Sequence, residues 1–199
     1  MIQCKIDLTE FAKIKDLPKQ IFTRHFFEEL GQYMVSSTQR KIRSGISPQN
    51  APLTQSYKKS GLTLRDTGRL LSSISHKAEE TKVTVGTNVI YGRIQQLGGT
   101  IKPKKAKKLW IPAGWNARKL LRQYGGSPSA AIKSMKQAGY RIWKSRSGNA
   151  ILFADRKGIP QVLYILKDEV TIPSRKYLYV DVTDINVIKD KVQKWLRKK

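Results

Sequence analysis

The side chains able to do acid–base, metal or nucleophilic chemistry are few and scattered. His25 and His76 lie far apart and fit no metal-ligand spacing. Cys4 is the single cysteine, which excludes an internal disulfide and a thiolate metal site. It reads as a small, half-buried residue of a first strand. The paired acids Glu79-Glu80 and Asp168-Glu169 sit beside turn or strand-end signals, where solvated charge is the ordinary use. No serine elbow, P-loop or dinucleotide fingerprint is present, and Gly98-Gly99 and Gly125-Gly126 mark turns, not phosphate cradles. These observations name no catalytic, cofactor-binding or metal residue.

The cations are the other group with chemistry to offer. Lys102, Lys104, Lys105, Lys107 and Lys108 form a run broken by Pro103 and followed by Trp110. Such a run is extended, and it can meet a phosphate backbone while the indole stacks on a base. Arg141, Lys144, Arg146 and Arg156-Lys157 could join it on one cationic surface. Across 199 residues the formal net charge is +25, so the partner is an acidic one, either nucleic acid or an acidic protein surface. No apolar run is long enough to span a membrane, and no lipidation motif occurs. Lys5, Asp7 and Glu10 interrupt any signal-peptide core, so the chain is expected to work in a cytoplasm or in a particle assembled there.

Several elements must position these groups. Ile2–Leu8 alternates as an edge strand does, and Thr9, Phe11 and Ile14 suggest a helical turn. Pro18 suits the first turn of a long helix. From Lys19, Phe22, Phe26, Leu30, Tyr33 and Met34 recur at three- and four-residue steps, widened by Ile21, Phe27 and Ile42. The pattern runs to Arg43, roughly 26 residues or roughly 39 Å at ~1.5 Å per residue, and Gly45 stops it. Ser44–Gly61 has the composition of a loop.

Leu64–Thr100 is the organising stretch. It reads as short helix, strand, turn, strand, short helix and glycine stop. Asp66 and Thr67 are suited to cap the first helix, with Leu70, Leu71 and Ile74 as its stripe. Lys82–Gly86 alternates as a half-buried strand. Thr87-Asn88 can cap the second helix, Ile90, Ile94 and Leu97 would line its inner face, and Gly98-Gly99 would end it.

Beyond Thr100, Leu109–Pro112 reads as a strand. Ala117–Tyr124 reads as a helix, and Ser127-Pro128 opens another with Ala131, Ile132, Met135 and Ala138 on one side, stopped by Gly139. Tyr140–Lys144, Ala150–Ala154 and Gln161–Leu166 are strand-like, with Ser147-Gly148-Asn149 as a hairpin turn. Tyr177–Val182 alternates as a strand should. Asp184 would cap a last helix, with Ile185, Ile188, Val192 and Trp195 or Leu196 on its apolar face.

Three patches carry a resemblance: Pro48, Pro52, Leu53 and Thr54; then D-T-G-R-L-x-x-S-I, V-x-V-G-T-N and Y-G-R-I-Q-Q-L-G-G-T; then I-P-S-R-K-Y-L. Together they resemble the phage virion morphogenesis family of Mu-like tail-completion and head–tail joining proteins. The matching residues are Thr67, Gly68, Leu70, Ser73, Ile74, Gly86, Thr87, Tyr91, Gln96, Gly98, Gly99, Pro173, Arg175 and Leu178. Gly92 stands where the family has Ala, Gln95 where it has His, Asn50 where it has Gly, and Ser174, Lys176 and Tyr177 where it has Ala, Pro and Phe.

The resemblance implies an α+β fold: a long N-terminal helix on an antiparallel sheet, a β-rich insertion at about 101–171, and a C-terminal helix. It implies one domain over 1–199, without enzymatic activity. The implied role is a structural protein of a tailed phage or prophage, made in the bacterial host cytoplasm and placed at the neck or tail end. It would form a ring with copies of itself and meet tail-tube and neck or connector proteins, with non-specific contact to packaged DNA. Ser44–Gly61 and the Lys102–Lys108 arm, with Trp110, are the contact candidates. The competing reading is a non-specific nucleic-acid-binding protein that uses its basic surface; a phage hydrolase is disfavoured by the missing catalytic constellation.

Overall fold

The computed structural model describes residues 2–7, 22–56, 58, 62–125, 127–154 and 158–197. The readings made for Leu8, the Thr9–Ile14 turn, Pro18, Lys19, Ile21, Gly61, Gly126 and Arg156-Lys157 lie outside them. In chain order the elements are β1 (Ile2–Asp7), α1 (Arg24–Ser44), α2 (Pro52–Gln55), α3 (Arg69–Ser72), β2 (Ile74–Ala78), β3 (Lys82–Thr87), α4 (Gly92–Leu97), β4 (Gly99–Ile101), β5 (Leu109–Pro112), α5 (Trp115–Tyr124), α6 (Pro128–Gln137), β6 (Arg141–Lys144), β7 (Ala150–Ala154), β8 (Gln161–Lys167), β9 (Val170–Ile172) and α7 (Val182–Arg197). The fold is α+β, with every sheet antiparallel.

The chain forms two compact units. Unit 1 comprises Met1–Gln49, Leu62–Gly98 and Pro173–Lys199; unit 2 comprises Asn50–Gly61 and Gly99–Ile172.

In unit 1 the sheet order is β1-β3-β2, so β1 is an edge strand as its sequence predicts. Helix α1 packs on β2 and β3, and α7 packs on α1. Phe26, Phe27, Leu30, Met34 and Ile42 of α1 close over Ile74, Ala78, Val83 and Val85 of the sheet. Each of these side chains larger than alanine contributes about 1.5–3 kcal/mol when fully buried. Phe22 lies outside α1, because Thr23 is extended (φ −102°, ψ 165°) and the helix begins at Arg24, later than the sequence pattern suggests. Gly31 faces His76: a Cβ there would come within 2.3 Å of the imidazole Cδ2. The missing side chain lets His76 lie under α1 and bond Glu28 (Nε2–Oε2 2.8 Å).

Unit 2 holds two sheets. β4 and β9 pair, Gly99 opposite Ile172, so the strands on which the chain enters and leaves this insertion run side by side. The larger sheet has the order β5-β8-β7-β6. Helices α5 and α6 bury Ala117, Leu121, Ala131 and Met135 against Ile151, Phe153, Leu163, Tyr164 and Leu166. Ser127 caps α6 by accepting from Ala130 N (3.3 Å), as its place before Pro128 predicts. Ala138 is the C-terminal cap of α6 and is exposed, outside the buried stripe.

Four expectations need correction. Gly68 in the left-handed region (φ 81°) precedes α3, so neither Asp66 nor Thr67 caps it, and Ile74 begins β2 instead of continuing the helix. Tyr91, not Thr87-Asn88, precedes α4. Residues 177–181 form no strand, because Gln96 takes the backbone groups a sheet neighbour would have bonded. Asp181, not Asp184, holds the N-cap position of α7; Asp184 lies three residues on and bonds back to it.

Candidate functional site

The motif residues converge on the surroundings of α4. Gln96 is 8% exposed although it lies on a short helix with free apolar neighbours. Its Oε1 accepts from the backbone N–H of Tyr177 (2.9 Å) and of Leu178 (3.0 Å), and its Nε2 donates to Leu178 O (2.9 Å). One primary amide therefore does for the closing segment what a paired strand would do. Ser174 Oγ donates to Gln96 O (2.7 Å), and Tyr177 OH donates to Gly92 O (3.1 Å). Burial, and then the neighbouring Tyr91, push the Tyr177 phenol up to about 12, so it stays a neutral donor. Gly92 has no room for the family's alanine as packed here: a Cβ would lie 2.8 Å from Thr87 Cγ2 and 3.0 Å from Tyr177 OH. The tyrosine hydroxyl that replaces a phenylalanine edge thus accompanies the loss of a methyl group on the helix facing it.

Arg175 completes the clasp. It is buried, and burial pulls its guanidinium below its ordinary value. Nε donates to Pro48 O (2.8 Å), Nη2 to Gln49 O (3.1 Å) and Nη1 to Gln95 Oε1 (3.1 Å), while its own N–H reaches Gln95 O (2.8 Å). The Gln95 amide supplies a neutral acceptor where the family carries an imidazole. Sequence patches around Pro48, around Gln96 and around Arg175 are joined here at separations of 80 residues and more.

The other motif positions build the support. Leu70 and Ile74 are core residues. Ser73 Oγ donates to Leu70 O and shares a hydrogen bond with Thr87 Oγ1 (2.7 Å), which also accepts from Val89 N (3.2 Å). Gly86 lies against β1, where a Cβ would be 2.4 Å from Ile2 O. Gly98 (φ 73°) ends α4 as expected; Gly99 starts β4; Thr67 and Pro173 are exposed.

This clasp turns α4 the opposite way from its sequence pattern. Gly92 and Gln96 face inward; Ile90 is 97% exposed, Leu97 59% and Tyr91 41%. Of the stripe read as core, Ile94 is half-buried while Ile90 and Leu97 form a displayed apolar tip, because burying Gln96 satisfies three backbone groups and burying Leu97 would satisfy none.

A second polar node ties α7 to α1. Asp184 is 1% exposed. It accepts from Lys41 Nζ (2.5 Å), Ser37 Oγ (2.5 Å), Tyr33 OH (3.0 Å) and Asp181 N (3.1 Å). Asp181 Oδ1 accepts from Asp184 N (2.8 Å), so the two aspartates form a reciprocal cap on α7. Burial alone would push the Asp184 carboxyl up; the hydrogen bonds from Lys41, Ser37, Asp181 and Tyr33 outweigh it and hold the group below its ordinary value. Lys41 also contacts Asp181 Oδ2 (3.0 Å) and Tyr179 O (2.8 Å), so its three N–H donors are all engaged. Along α7, Ile188, Val192 and Trp195 pack on the core; Ile185 and Leu196 are each 42% exposed, so the predicted face is narrower than read. The D-x-x-D spacing was the signal available in the sequence for this cap.

In unit 2 the arm residues fall into two groups. Lys102 reaches Glu169 (3.3 Å), and Lys108 reaches Asp168 (3.5 Å) and Asn149 Oδ1 (3.2 Å). Lys104, Lys105 and Lys107 between them are exposed and pair with no acid among the described residues. Trp110 stands edge-on to Tyr164 (5.3 Å) and is partly exposed. Among the described residues, no group of three or more His, Cys, Asp and Glu could hold a metal ion, and no helix is long and apolar enough to cross a membrane.

No curated protein and no solved structure matches the chain. The pattern of the phage virion morphogenesis family matches residues 11–138. That span contains the first two motif patches and runs on through α5 and α6, further than the motifs alone reach; the I-P-S-R segment lies beyond it. With well over half its length inside that match, the chain belongs to the phage virion morphogenesis family.

Proposed function

We propose that the protein is a non-catalytic structural subunit, repeated as a ring at the neck or tail end of a tailed phage or prophage particle, that completes the tail or joins it to the head. Family membership supports the role in virion morphogenesis. The observation that carries the finer reading is the α4 tip. Side chains that could enter a core are held outward by Gln96 and Arg175 in a protein whose surface is otherwise dominated by charge. Rigid, exposed apolar groups of this kind suit a contact with a neighbouring copy or a stacked ring. The non-catalytic reading is supported by the buried polar groups: Lys41, Asp184, Gln96 and Arg175 are all engaged with one another or with backbone. The 44–61 segment and the Lys104–Lys107 arm are the further contacts proposed for tail-tube and connector proteins.

Electron microscopy of an induced lysate with this gene silenced tests the role. Filled heads beside unattached or abnormally ended tails are expected; normal infectious particles would overturn it. The contact surface is tested by Ile90→Glu with Leu97→Glu. The exposed positions keep the monomer folded, within about 0.5 kcal/mol, and assembly should be lost. Unimpaired assembly removes the α4 tip from the interface.

A further inference from the structure

The charge is not shared evenly between the units. Unit 2 carries 18 Lys and Arg against 3 Asp and Glu, a formal +15; unit 1 carries 21 against 11, a formal +10; together they give the +25 of the chain. Two of the three acids of unit 2, Asp168 and Glu169, already engage Lys108 and Lys102.

Helices α5 and α6 show the consequence most clearly. They contain no acidic residue, and they pack on each other. Lys119 and Arg122 are exposed three residues apart on α5, away from the buried Ala117 and Leu121. Lys133 and Lys136 repeat that spacing on α6, away from the buried Ala131 and Met135. None of these four pairs with an acid among the described residues. Arg122 and Lys136 lie in the last turns of their helices, where the dipole favours a cation, but Lys119 and Lys133 stand one turn earlier and only repel them, so these two lysines do not serve local stability.

We propose that this α5–α6 face binds the phosphate backbone of duplex DNA without sequence preference, through Lys119, Arg122, Lys133 and Lys136. The composition favours DNA over an acidic protein. Of the 18 cations of unit 2, 13 are lysine. Lysine is depleted from the cores of protein–protein interfaces, whereas a hydrated point charge suits contacts to phosphate that release counterions. The inference does not depend on the ring. A ring subunit can lack this face and a monomer can possess it, and subunit mass in solution is measured separately.

The test uses the full chain and a fluorescein-labelled 20-base-pair duplex of arbitrary sequence, read by anisotropy between 50 and 300 mM NaCl. The wild-type protein should bind with a steep salt dependence. Replacing Lys119, Arg122, Lys133 and Lys136 by Gln should weaken binding at least tenfold near 150 mM. It should also reduce the slope of log K against log salt by about 3–4, one phosphate contact per cation. A control removes four exposed cations of unit 1 (Arg93, Lys176, Lys189, Lys194) and should leave the slope nearly unchanged. Both variants should keep the far-UV circular dichroism of the parent. Equal losses in the two variants would show a bulk-charge effect and overturn the assignment. So would competition by poly-L-glutamate as strong as by unlabelled duplex at equal charge, which would mark an acidic protein as the ligand.

Discussion

The two units handle polar side chains in opposite ways. In unit 1 they face inward and hold chain to chain: Gln96 binds Tyr177 and Leu178, Arg175 binds Pro48, Gln49 and Gln95, and Lys41 binds Asp181 and Asp184. In unit 2 the core of α5, α6 and the larger sheet is almost wholly apolar, and among the described residues Lys102 and Lys108 pair with the acids Glu169 and Asp168 at its surface. A long insertion can be added to a fold if its core is self-contained. The parent fold must then close around the points where the chain leaves and returns, and unit 1 does this with directional hydrogen bonds beside Gly98 and Pro173. The same residue types therefore have opposite consequences when changed: stability in unit 1, binding in unit 2.

The largest effect is expected at Lys41. Lys41→Met leaves the Asp184 carboxylate buried without its counter-charge, which costs about 3–5 kcal/mol. The melting temperature should fall by roughly 6–20 °C for a chain of this size, measured by circular dichroism. Lys133→Met in unit 2 should shift it by about 1–2 °C at most. Comparable losses from both would erase the distinction between the units. The same node has a pH signature. Asp184 is held below its ordinary 3.8, so its contribution is complete above that pH and is lost as pH falls through the lower folded value. Burial pulls Lys41 down, but its bonds to Asp184 and Asp181 raise it above 10.5. Its contribution is complete below that value and is lost as pH rises through the higher folded one.

Comparable in size is the effect at Gln96. Gln96→Leu strands two buried N–H groups and one carbonyl, at about 1–3 kcal/mol for each group that water cannot reach. Gln96→Glu separates the donor from the acceptors. A carboxylate still accepts from Tyr177 and Leu178, but its second oxygen faces Leu178 O, and only the protonated acid can donate there. The folded state therefore raises the pKa of this glutamate. Its stability is greatest below about pH 4.3, the unfolded value, and is lost as pH rises through the folded one. Urea titrations at pH 4 and pH 7 should show Gln96→Glu approaching wild type only at the lower pH; an equal deficit at both would mean that Nε2 contributes nothing.

Backbone fit comes third. Gly86→Ala places a Cβ 2.4 Å from Ile2 O, and the obstacle is main chain, so β1 must shift at a cost of about 1–3 kcal/mol. Gly68→Ala meets open space and costs only the left-handed backbone, about 1 kcal/mol, which Gly68→Asn should partly recover. Hydrogen exchange in β1 should accelerate for Gly86→Ala and not for Gly68→Ala.

Apolar periodicity made most of this architecture legible. The C-terminal stop of α1 at Gly45, the β3 alternation, the Ser127-Pro128 start of α6 and the β6–β7 hairpin all follow from local rules that need no partner. The orientation of α4 was not legible. Ile90, Ile94 and Leu97 have core spacing, and what turns Leu97 outward is the hydrogen bonding of the Gln96 side-chain amide to residues about 80 positions away, which periodicity cannot register. The irregular path of residues 177–181 has the same cause. Asp181 was misjudged for a local reason: either aspartate of D-V-T-D can cap, and burial beside Lys41 decides that Asp184 is the inner one. The lysine run drew attention for its density, yet both of its ends are paired, and Lys119, Arg122, Lys133 and Lys136, which pair with no acid among the described residues, are less conspicuous because helical spacing scatters them along the sequence.

The smallest expected effect separates stability from binding within unit 2. On α5, Lys119→Glu removes a repulsion with Arg122 and puts an acid three residues before a cation on the same face, a pairing worth about 0.2–0.5 kcal/mol in an isolated helix. The variant should melt at the same temperature as the parent or up to about 2 °C higher. The proposal for the α5–α6 face requires the opposite change in DNA affinity, because the substitution removes one phosphate contact and adds a charge that repels the next. A protein that becomes slightly more stable while binding duplex more weakly, at unchanged subunit mass, is one whose α5 cations are kept for a ligand. A variant that is less stable, or that binds unchanged, returns those cations to the solvated surface.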